Sequence, residues 1–243
     1  MRALRLYPQG LVLEEVARPD PGPGEVLVRV HAAAITRNEL TWPVDRLPAI
    51  PSYELAGVVE ANGEGVIALT PFDRDGVAAD YAVVPETLLA PKPVGLSDEQ
   101  AAALPMPALS AWQGLVVHGG LEAGERVLIT GARGGVGHVA VQLVRALGGA
   151  LVGEGEACDL LFDTAGGKAL ARGADRAGRV VTIAAEGPGA EYFVVEPNGA
   201  QLASLPKLRP EVDSVFPLED FRAAFERCAA RGKHGKVVLR VAG

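Results

Sequence analysis

The sequence has few of the residues that build disulfide frameworks or metal centres. Cysteine occurs only at Cys158 and Cys228 in a chain of 243 residues, and the two lie far apart, in an apolar and a helical context. Structural zinc sites usually require clustered cysteines and disulfide scaffolds require several, so the sequence predicts neither and fits a reducing compartment. The histidines are also dispersed, and we interpret them as surface or packing residues: His31, His118, His138 and His234.

Long apolar runs and an excess of basic charge are missing as well. The opening segment, MRALRLYPQG, has no continuous apolar stretch of the kind found in signal peptides, and no apolar run elsewhere approaches the length that spans a bilayer. The net charge is −7, and lysine and arginine are scattered along the chain, so we expect no basic face for DNA, RNA or an anionic membrane. These absences predict a soluble, cytoplasmic protein with neither a nucleic-acid nor a membrane partner.

One stretch, residues 125–149, combines an apolar run, spaced glycines and a helical pattern. The apolar residues 127–130 predict a buried strand that stops at Gly131. Gly131, Gly134 and Gly137 follow at regular spacing, and apolar residues then recur with the period of a helix. Glycines let backbone amides approach a pyrophosphate, and the N-terminus of the following helix adds positive charge. The stretch therefore predicts a dinucleotide-binding turn, although the same glycines also suit a purely structural turn.

The chain changes character between its first third and the remainder. Residues 1–93 contain short strand-like pieces separated by glycine and proline, which indicates a compact β-rich domain. Ser97, followed by acidic residues and alanines, predicts the start of a helix and of an α/β region whose strands form a parallel sheet. We place the terminal strand, residues 236–241, back on the β-rich domain. The other strands and helices predicted after Ser97 lie at 150–153, 159–164, 168–177, 178–184, 192–195 and 218–231.

Five segments occur in an order that is more specific than any one of them. They are PSYELAGVV at 51–59, PALSAW at 107–112, GARGGVG at 131–137, residues 159–167, and GKVV at 235–238. Together they resemble the successive signatures of the medium-chain dehydrogenase/reductase superfamily. Within it the sequence is similar to the zinc-free quinone oxidoreductase and enoyl reductase branch.

The resemblance implies both a fold and a reaction. The expected fold is α/β, with a discontinuous GroES-like β-barrel domain at residues 1–95 and 218–243, a shortened, doubly wound parallel-sheet Rossmann domain at 96–217, and a cofactor cleft between them. The expected activity is a zinc-independent hydride transfer from NAD(P)H, usually NADPH, to a quinone or an α,β-unsaturated carbonyl compound. The alternative is a non-catalytic member of the same fold family that binds a nucleotide or serves a structural role.

The resemblance also implies which residues form the reaction site. Zinc-dependent relatives carry a cysteine at the position of Thr36 and a histidine at that of Tyr53, and this sequence has neither ligand. Tyr53 is expected to donate a hydrogen bond or a proton to the acceptor oxygen, and Thr36 and Arg37 belong to the segment that resembles the active-site loop. A packing role for Tyr53 and a solvated position for Arg37 are the alternatives.

Further positions are expected to contact the cofactor. Ser110 resembles a hydroxyl beside the nicotinamide ribose or carboxamide, with a helix-capping or helix-interior serine as the alternative. Thr164 and Ala184 follow predicted strands, at the edge where parallel sheets bind ligands. Lys236 resembles a lysine near the cofactor phosphate, with a surface lysine as the alternative. The complete expected set is Ser110, Gly131, Ala132, Arg133, Gly134, Gly135, Val136, Gly137, Thr164, Ala184 and Lys236.

The sequence departs from the family most strongly after residue 153. Relatives continue there with a loop, a helix, another strand and another helix, but here only residues 154–158 precede the next predicted strand. A parallel crossover normally needs a dozen or more residues, so the strands on either side are either non-adjacent or joined by a tight connection. Relatives hold the adenosine 2′-phosphate in the missing segment, which Glu154 and Glu156 would repel, so NADH is possible; both glutamates are otherwise solvated turn residues.

The apolar segment YFVV at residues 192–195 predicts a strand near the end of the sheet. An exposed edge of this kind favours pairing with a second copy, and relatives form homodimers in this way. We therefore expect a homodimer through this segment, with an ordinary buried strand as the alternative.

Overall fold

The computed structural model describes residues 1–43, 47–187 and 189–242. They form two compact units, which we call unit 1 (Met1–Pro105, Pro197–Ser204 and Pro210–Gly243) and unit 2 (Met106–Glu196 and Leu205–Arg209). The expected boundaries at 95/96 and 217/218 therefore differ from the observed division. Residues 96–105, 197–204 and 210–217 belong to unit 1 because their helices and strand pack on its sheet.

The secondary structure follows in chain order. The strands are β1 (Arg2–Tyr7), β2 (Gly10–Glu15), β3 (Glu25–Ile35), β4 (Glu54–Val59), β5 (Gly65–Leu69), β6 (Tyr81–Pro85), β7 (Ala90–Pro91), β8 (Arg126–Thr130), β9 (Ala150–Leu151), β10 (Cys158–Asp163), β11 (Ala177–Thr182), β12 (Glu191–Tyr192), β13 (Val212–Pro217) and β14 (Lys236–Arg240). The helices are α1 (Asp98–Ala102), α2 (Pro105–Trp112), α3 (Gly137–Ala146), α4 (Gly167–Ala174), α5 (Gly199–Ser204) and α6 (Phe221–Ala229).

Unit 1 is built on a sheet in which β3 is the central, longest strand. The order is β13-β14-β3-β4-β5-β7, and β6 also pairs with β3. The terminal strand β14 runs antiparallel to β3, with Val237 opposite Ile35, which confirms its predicted return to the N-terminal domain. Side chains of β3, β4 and β14 that alternate toward the interior form one buried core with the apolar face of α6.

Helix α1 begins where the sequence predicts. The Ser97 hydroxyl accepts a hydrogen bond from the Gln100 amide at 3.2 Å, and the Gln100 side chain accepts one from the Ser97 amide at 3.1 Å. This reciprocal pair satisfies two amides that a helix start otherwise leaves unpaired. The helix packs on β3 and β4, which is why it belongs to unit 1 rather than to the α/β region.

Unit 2 contains a parallel sheet in the order β12-β11-β10-β8-β9, which confirms the predicted parallel α/β architecture. Strands β9 and β10 lie on opposite sides of β8, so the non-adjacent alternative is correct. A doubly wound sheet has the order 3-2-1-4-5-6. With β8 as strand 1, the observed order corresponds to 6-5-4-1-2, and strand 3 has no counterpart among the described residues.

Three further findings bear on the expectations. The predicted strand at 192–195 is displaced, because only Glu191–Tyr192 pairs with β11. Cys158 and Cys228 are buried free thiols, and burial raises the pKa of each. In the described part of the chain, every helix is too short or too polar to cross a membrane.

Candidate functional site

The glycine turn of unit 2 joins β8 to α3 and is shaped by close backbone contacts. Gly131 has a positive φ of 68°, and its carbonyl accepts a hydrogen bond from the Gly134 amide at 2.8 Å. A Cβ atom on Gly131 would lie 2.5 Å from Thr164 Oγ1, and one on Gly137 would lie 2.1 Å from the Gly131 carbonyl oxygen. The tight turn itself therefore requires glycine at both positions.

The outer part of the turn is open to solvent. Ala132 and Arg133 are exposed, and Gly135 and Val136 are half-buried before α3 begins. The aligned peptide dipoles of α3 give this end of the helix a partial positive charge, while the His138 and Val139 amides of the first turn donate to the Gly134 and Val136 carbonyls at 3.2 and 3.1 Å. His138 is buried, with its Nδ1 atom 2.9 Å from the Gly134 carbonyl oxygen, so it stabilises the turn as a packing residue.

Asp163, at the end of β10, links the ends of three neighbouring strands. Its carboxylate is fully buried and accepts hydrogen bonds from the hydroxyls of Thr130, at the end of β8, and Thr182, at the end of β11. The same carboxylate accepts from the amides of Ala165 at 3.3 Å and Gly166 at 3.0 Å. The carboxyl edge of the sheet is therefore held in one arrangement before any ligand binds.

Asp163 was not predicted as a site residue. The available signal was an acidic residue closing the apolar run DLLFD while the strands on both sides end in threonine, at Thr130 and Thr182. A lone buried carboxylate requires hydrogen-bond donors, and two hydroxyls at matching strand ends can supply them. That Asp163 contacts Thr130 and Thr182 becomes clear only once β10 is known to lie between β8 and β11.

Thr164 and Ala184 lie at the same edge of the sheet as the glycine turn. The Thr164 hydroxyl donates to the Thr130 carbonyl at 2.8 Å, and the Ala184 amide donates to the Thr182 hydroxyl at 3.1 Å. A Cβ atom on Gly166 would lie 3.1 Å from the Ala184 Cβ. The structure thus brings together three of the predicted cofactor segments of unit 2: the glycine turn, residues 164–167 and Ala184.

Ser110 is buried inside α2, in agreement with the helix-interior alternative for this residue. A π-helical turn, Gln113–His118, follows α2. The Gln113 side chain donates to the Glu196 carbonyl and accepts from the Glu196 amide, both at 2.9 Å. This pair ties the end of the helix to the segment that follows β12.

The short loop after β9 is closed by its own side chains. Glu156 accepts from the Gly153 amide at 2.8 Å and lies 3.2 Å from the Arg126 guanidinium. Glu154 lies 3.5 Å from the Arg172 guanidinium in an exposed ion pair. Both carboxylates that were predicted to influence the choice of coenzyme therefore have partners within unit 2.

Unit 1 contains a separate buried polar cluster at the end of β3. The Lys236 ammonium is buried, forms an ion pair with the fully buried Glu54 carboxylate, and donates to the Thr36 hydroxyl at 2.8 Å. The Thr36 hydroxyl in turn lies 3.3 Å from Glu54 Oε1. Lys236, expected at a cofactor phosphate or at the surface, is thus held inside unit 1 by Thr36 and Glu54.

Glu39 lies in the same cluster and was not singled out as a site residue. Its carboxylate accepts from the amides of Thr36 at 2.7 Å and Ser52 at 3.1 Å. Burial raises the pKa of Glu39 to about 8, although both amides and the Lys236 charge act in the opposite direction. Ser52 has a positive φ of 66° and is anchored by its hydroxyl, which donates to the Ala34 carbonyl at 2.7 Å.

Tyr53 is buried in an aromatic group beside this cluster. Its ring stacks on Trp42, with centroids 5.9 Å apart, and meets Phe72 edge-on at 5.1 Å. Burial raises the pKa of the Tyr53 phenol, and the negative charges of Glu39 and Asp75 add to the effect. The phenol therefore keeps its proton at neutral pH and is available as a donor.

Arg37 follows Thr36 on the exposed side of the loop. Its guanidinium donates to the Ala229 carbonyl at the end of α6, at 2.9 Å.

Within residues 1–43, 47–187 and 189–242, no group of three or more His, Cys, Asp or Glu side chains is placed to hold a metal ion.

Two family models match the sequence. The model described as "Alcohol dehydrogenase GroES-like domain" matches residues 22–94, and the model described as "Zinc-binding dehydrogenase" matches residues 197–239. The first match and the neighbouring solved structures confirm the expected two-domain α/β fold with a GroES-like domain.

Two relatives are similar to this chain, one over most of its length and the other over about half of its length. A probable mitochondrial zinc-binding oxidoreductase of Arthroderma benhamiae is 30% identical over 303 aligned positions that cover 92% of each chain. An acryloyl-coenzyme A reductase of Sulfurisphaera tokodaii is 31% identical, and the match covers 60% of this chain and 55% of that protein. The first alignment is longer than this chain of 243 residues, so part of that relative has no counterpart here.

A solved structure gives the corresponding comparison in three dimensions. The quinone oxidoreductase of Thermus thermophilus, determined alone and in complex with NADPH, is 30% identical and superposes with a TM-score of 0.83. The superposition covers 99% of this chain and all of the other chain.

Proposed function

The chain belongs to the medium-chain dehydrogenase/reductase superfamily, in its quinone oxidoreductase branch, and on this basis we propose that it is an NAD(P)H-dependent oxidoreductase. The proposed reaction reduces a quinone or an α,β-unsaturated carbonyl compound without zinc. The names of the Thermus thermophilus and Sulfurisphaera tokodaii relatives support the two acceptor classes. The observation that carries the proposal is the ordered carboxyl edge of unit 2, where the glycine turn, Asp163 and Thr164 meet.

The residues of this edge fit the pyrophosphate and nicotinamide portions of the cofactor. The glycine turn has no side chain at Gly131, Gly134 or Gly137, and the positive end of the α3 helix dipole favours an anion placed beside the turn. Thr164 and Ala184 would border the nicotinamide ribose, and Arg133 would lie beside the phosphates. When bound, the reduced nicotinamide supplies the hydride.

Zinc independence is supported by the chemistry of the side chains. The positions at which zinc-dependent relatives carry ligands hold Thr36 and Tyr53 here, and hydroxyls of these types are poor zinc ligands. The positive charge of the surrounding cluster is supplied by Lys236, which is paired with Glu54.

Tyr53 is proposed to assist the reduction as a hydrogen-bond donor. Hydride addition to a quinone or to the β-carbon of an enone leaves negative charge on the acceptor oxygen, and a donor placed there lowers the barrier. The raised pKa of Tyr53 keeps its phenol protonated for this task. In the same proposal Thr36 lies beside the acceptor, and Arg37 orients substrates that carry an anionic group.

Two observations support different coenzymes. The Thermus thermophilus relative has been determined with NADPH. The acidic loop after β9, which contains Glu154 and Glu156, instead supports NADH, because a carboxylate accepts well from a ribose 2′-hydroxyl and repels a 2′-phosphate.

We also propose a cytoplasmic homodimer. Two buried free thiols fit a reducing compartment. Strand β12 lies at the edge of the sheet of unit 2; Tyr192 within it is 40% exposed, and Val194 just after it is 59% exposed. An edge strand with exposed apolar side chains is suited to pairing with its counterpart in a second copy.

The function is tested by coenzyme binding and turnover on the full chain. We expect quenching of protein fluorescence by NADH or NADPH, and oxidation of the bound coenzyme with a panel of small quinones and enones. Gly134→Ala places a methyl group 3.2 Å from the Gly131 carbonyl and over the turn, and is expected to weaken binding at least tenfold. Gly187→Ala, where the added Cβ makes an ordinary contact at 3.7 Å, is the matched control.

The outcomes separate the proposed enzyme from its alternative. Failure of the wild-type chain to bind either coenzyme would overturn the proposal. Binding without oxidation by any acceptor would favour a non-catalytic nucleotide-binding protein. Retained affinity in a folded Gly134→Ala variant would show that the turn has only a structural role.

A further inference from the structure

One half of the sheet in unit 2 has all of its expected strands, and the other half lacks one. A doubly wound dinucleotide fold consists of two mononucleotide-binding halves, strands 1-2-3 and strands 4-5-6. Strands β10, β11 and β12 provide all three strands of the second half, whereas β8 and the two-residue β9 provide only two strands of the first. The chain between β9 and β10, residues 152–157, is too short for a crossover helix, and β9 is an edge of the sheet.

The loop that replaces the missing segment has little capacity to recognise an adenosine ribose. Glu154 stands at the position, about 20 residues after the glycine turn, where dinucleotide folds place the carboxylate that binds the ribose hydroxyls. Here it forms an ion pair with Arg172, and the two side chains are 69% and 64% exposed. Glu156 closes its own loop through the Gly153 amide and Arg126.

The charges of this loop also compensate one another. The Glu154 carboxylate would repel a 2′-phosphate, but the Arg172 guanidinium beside it would attract the same group. Arg176 donates to the Gly155 carbonyl at 2.8 Å and brings a further positive charge to the loop. Charges of both signs at one exposed place give little selectivity, because solvent screens each of them.

The nicotinamide side of the sheet is buried and held by hydrogen bonds, whereas the loop after β9 is exposed and carries charges of both signs. Asp163 is fully buried, and its bonds to Thr130, Thr182 and Gly166 hold the strand ends in place. Such preorganised groups bind a ligand without first reorganising.

From this contrast, and resting on the function proposed above, we infer that the protein recognises its coenzyme through the nicotinamide ribotide and pyrophosphate, while the adenosine contributes little affinity. The chain is therefore a reductase that accepts NADH and NADPH with similar affinity, and reduced nicotinamide mononucleotide, which keeps one of the two phosphates, with an affinity within about tenfold of that for NADH. A coenzyme lacking the whole adenosine moiety is the ligand that distinguishes this protein from one with a complete dinucleotide site.

The test is a set of dissociation constants measured by calorimetry on the full chain. We expect the constants for NADH and NADPH to agree within threefold, and reduced nicotinamide mononucleotide to bind within about tenfold of NADH. AMP and 2′,5′-ADP are expected to leave the binding of NADH unchanged at millimolar concentration. A hundredfold loss with the mononucleotide, about 2.7 kcal/mol, or competition by 2′,5′-ADP at micromolar concentration would overturn the inference.

A pair of variants tests the loop itself. In Glu154→Arg the acidic side chain is replaced by the one that most favours a 2′-phosphate, and Glu154→Gln is the matched control that removes only the charge. We expect the ratio of the NADPH and NADH dissociation constants to change by less than threefold in both variants. A tenfold gain in preference for NADPH in Glu154→Arg alone would show that the adenosine is bound at this loop.

The two proposals fail in different ways. If no nicotinamide nucleotide binds, the proposed function falls and this inference falls with it. If NADH binds tightly and the mononucleotide does not, only the inference about adenosine falls.

Discussion

Replacing Glu39 with glutamine is expected to reverse the sign of its effect on stability between pH 5 and pH 9. Glu39 is buried at the end of β3, between the amides of Thr36 and Ser52, and its pKa is raised to about 8 chiefly by burial. A carboxyl group with an elevated folded-state pKa favours the folded state when it is neutral. Its contribution is fully present below the unfolded-state pKa and is lost as the pH rises toward the folded-state pKa.

The size of the effect follows from the two pKa values. The carboxyl has its ordinary pKa of 4.5 when exposed and a pKa of about 8 in the folded chain. At about 1.4 kcal/mol for each pH unit, the wild-type protein loses on the order of 3–5 kcal/mol of folding free energy between pH 4.5 and pH 8. Glutamine does not titrate, so the variant does not undergo this loss.

Glutamine introduces a smaller cost that is independent of pH. Each carboxylate oxygen of Glu39 accepts from one backbone amide, so the NH₂ group of glutamine must face either the Thr36 or the Ser52 amide. A donor facing a donor in a buried site costs about 1–3 kcal/mol. We therefore expect Glu39→Gln to be less stable than wild type at pH 5 and more stable at pH 9.

Urea unfolding of both proteins across this pH range measures the effect, with Trp112 of unit 2 replaced by phenylalanine in both so that fluorescence reports on Trp42 in unit 1. Glu86→Gln is the control, because Glu86 is an exposed acid at the start of the 3₁₀ helix Glu86–Leu88, just as Glu39 starts the 3₁₀ helix Glu39–Thr41. Parallel stability curves for wild type and Glu39→Gln would refute the reasoning. They would mean that the Thr36 and Ser52 amides and the Lys236 charge outweigh burial and keep the carboxylate ionised.

Two further predictions concern buried charges. Asp163→Asn replaces an acceptor of several hydrogen bonds with a group that has only one acceptor atom. We therefore expect the free energy of unfolding, measured by chemical denaturation, to fall by about 2–4 kcal/mol and coenzyme binding to weaken. Unchanged stability would contradict the linking role of Asp163. Lys236→Met removes the cation that neutralises the buried Glu54 carboxylate and is expected to cost about 3–5 kcal/mol, whereas Lys236→Met with Glu54→Gln should recover most of that loss in a double-mutant cycle. Additive effects of the two single substitutions would show that the ion pair is not coupled.

Much of unit 2 was predictable from local rules. The apolar run before Gly131, the glycine spacing and the helical period each depend on neighbouring residues, and all three elements lie where they were expected. The role of Asp163 was not predictable in this way, because its partners at Thr130 and Thr182 are 33 and 19 residues distant. The length of the loop at residue 154 also does not determine whether the strands on either side are neighbours, since loop length alone excludes only one kind of connection.

The polar cluster of unit 1 shows a different limit. Sequence comparison with the family indicated that Thr36 and Lys236 matter, but the two are 200 residues apart, and their contact depends on β14 pairing with β3. Glu39 carries no pattern of its own, because a glutamate in a polar loop is ordinarily solvated. The Glu39 side chain is held by the Thr36 and Ser52 amides near the Lys236 charge, an arrangement that no periodicity reveals.

The position of the shortened segment explains how the fold is retained. In the order 3-2-1-4-5-6, strand 3 is at one end of the sheet, so a chain that lacks it keeps an uninterrupted sheet with strand 2 as the new edge. A missing strand 1, 4 or 5 would instead separate the remaining strands and remove the partners of Asp163. Strand 3, beside the adenosine, is thus one of the two end strands that this order can lose without breaking the sheet. Retention of the fold and loss of adenosine recognition are then two consequences of the same contraction, and the coenzyme affinities test the second of them.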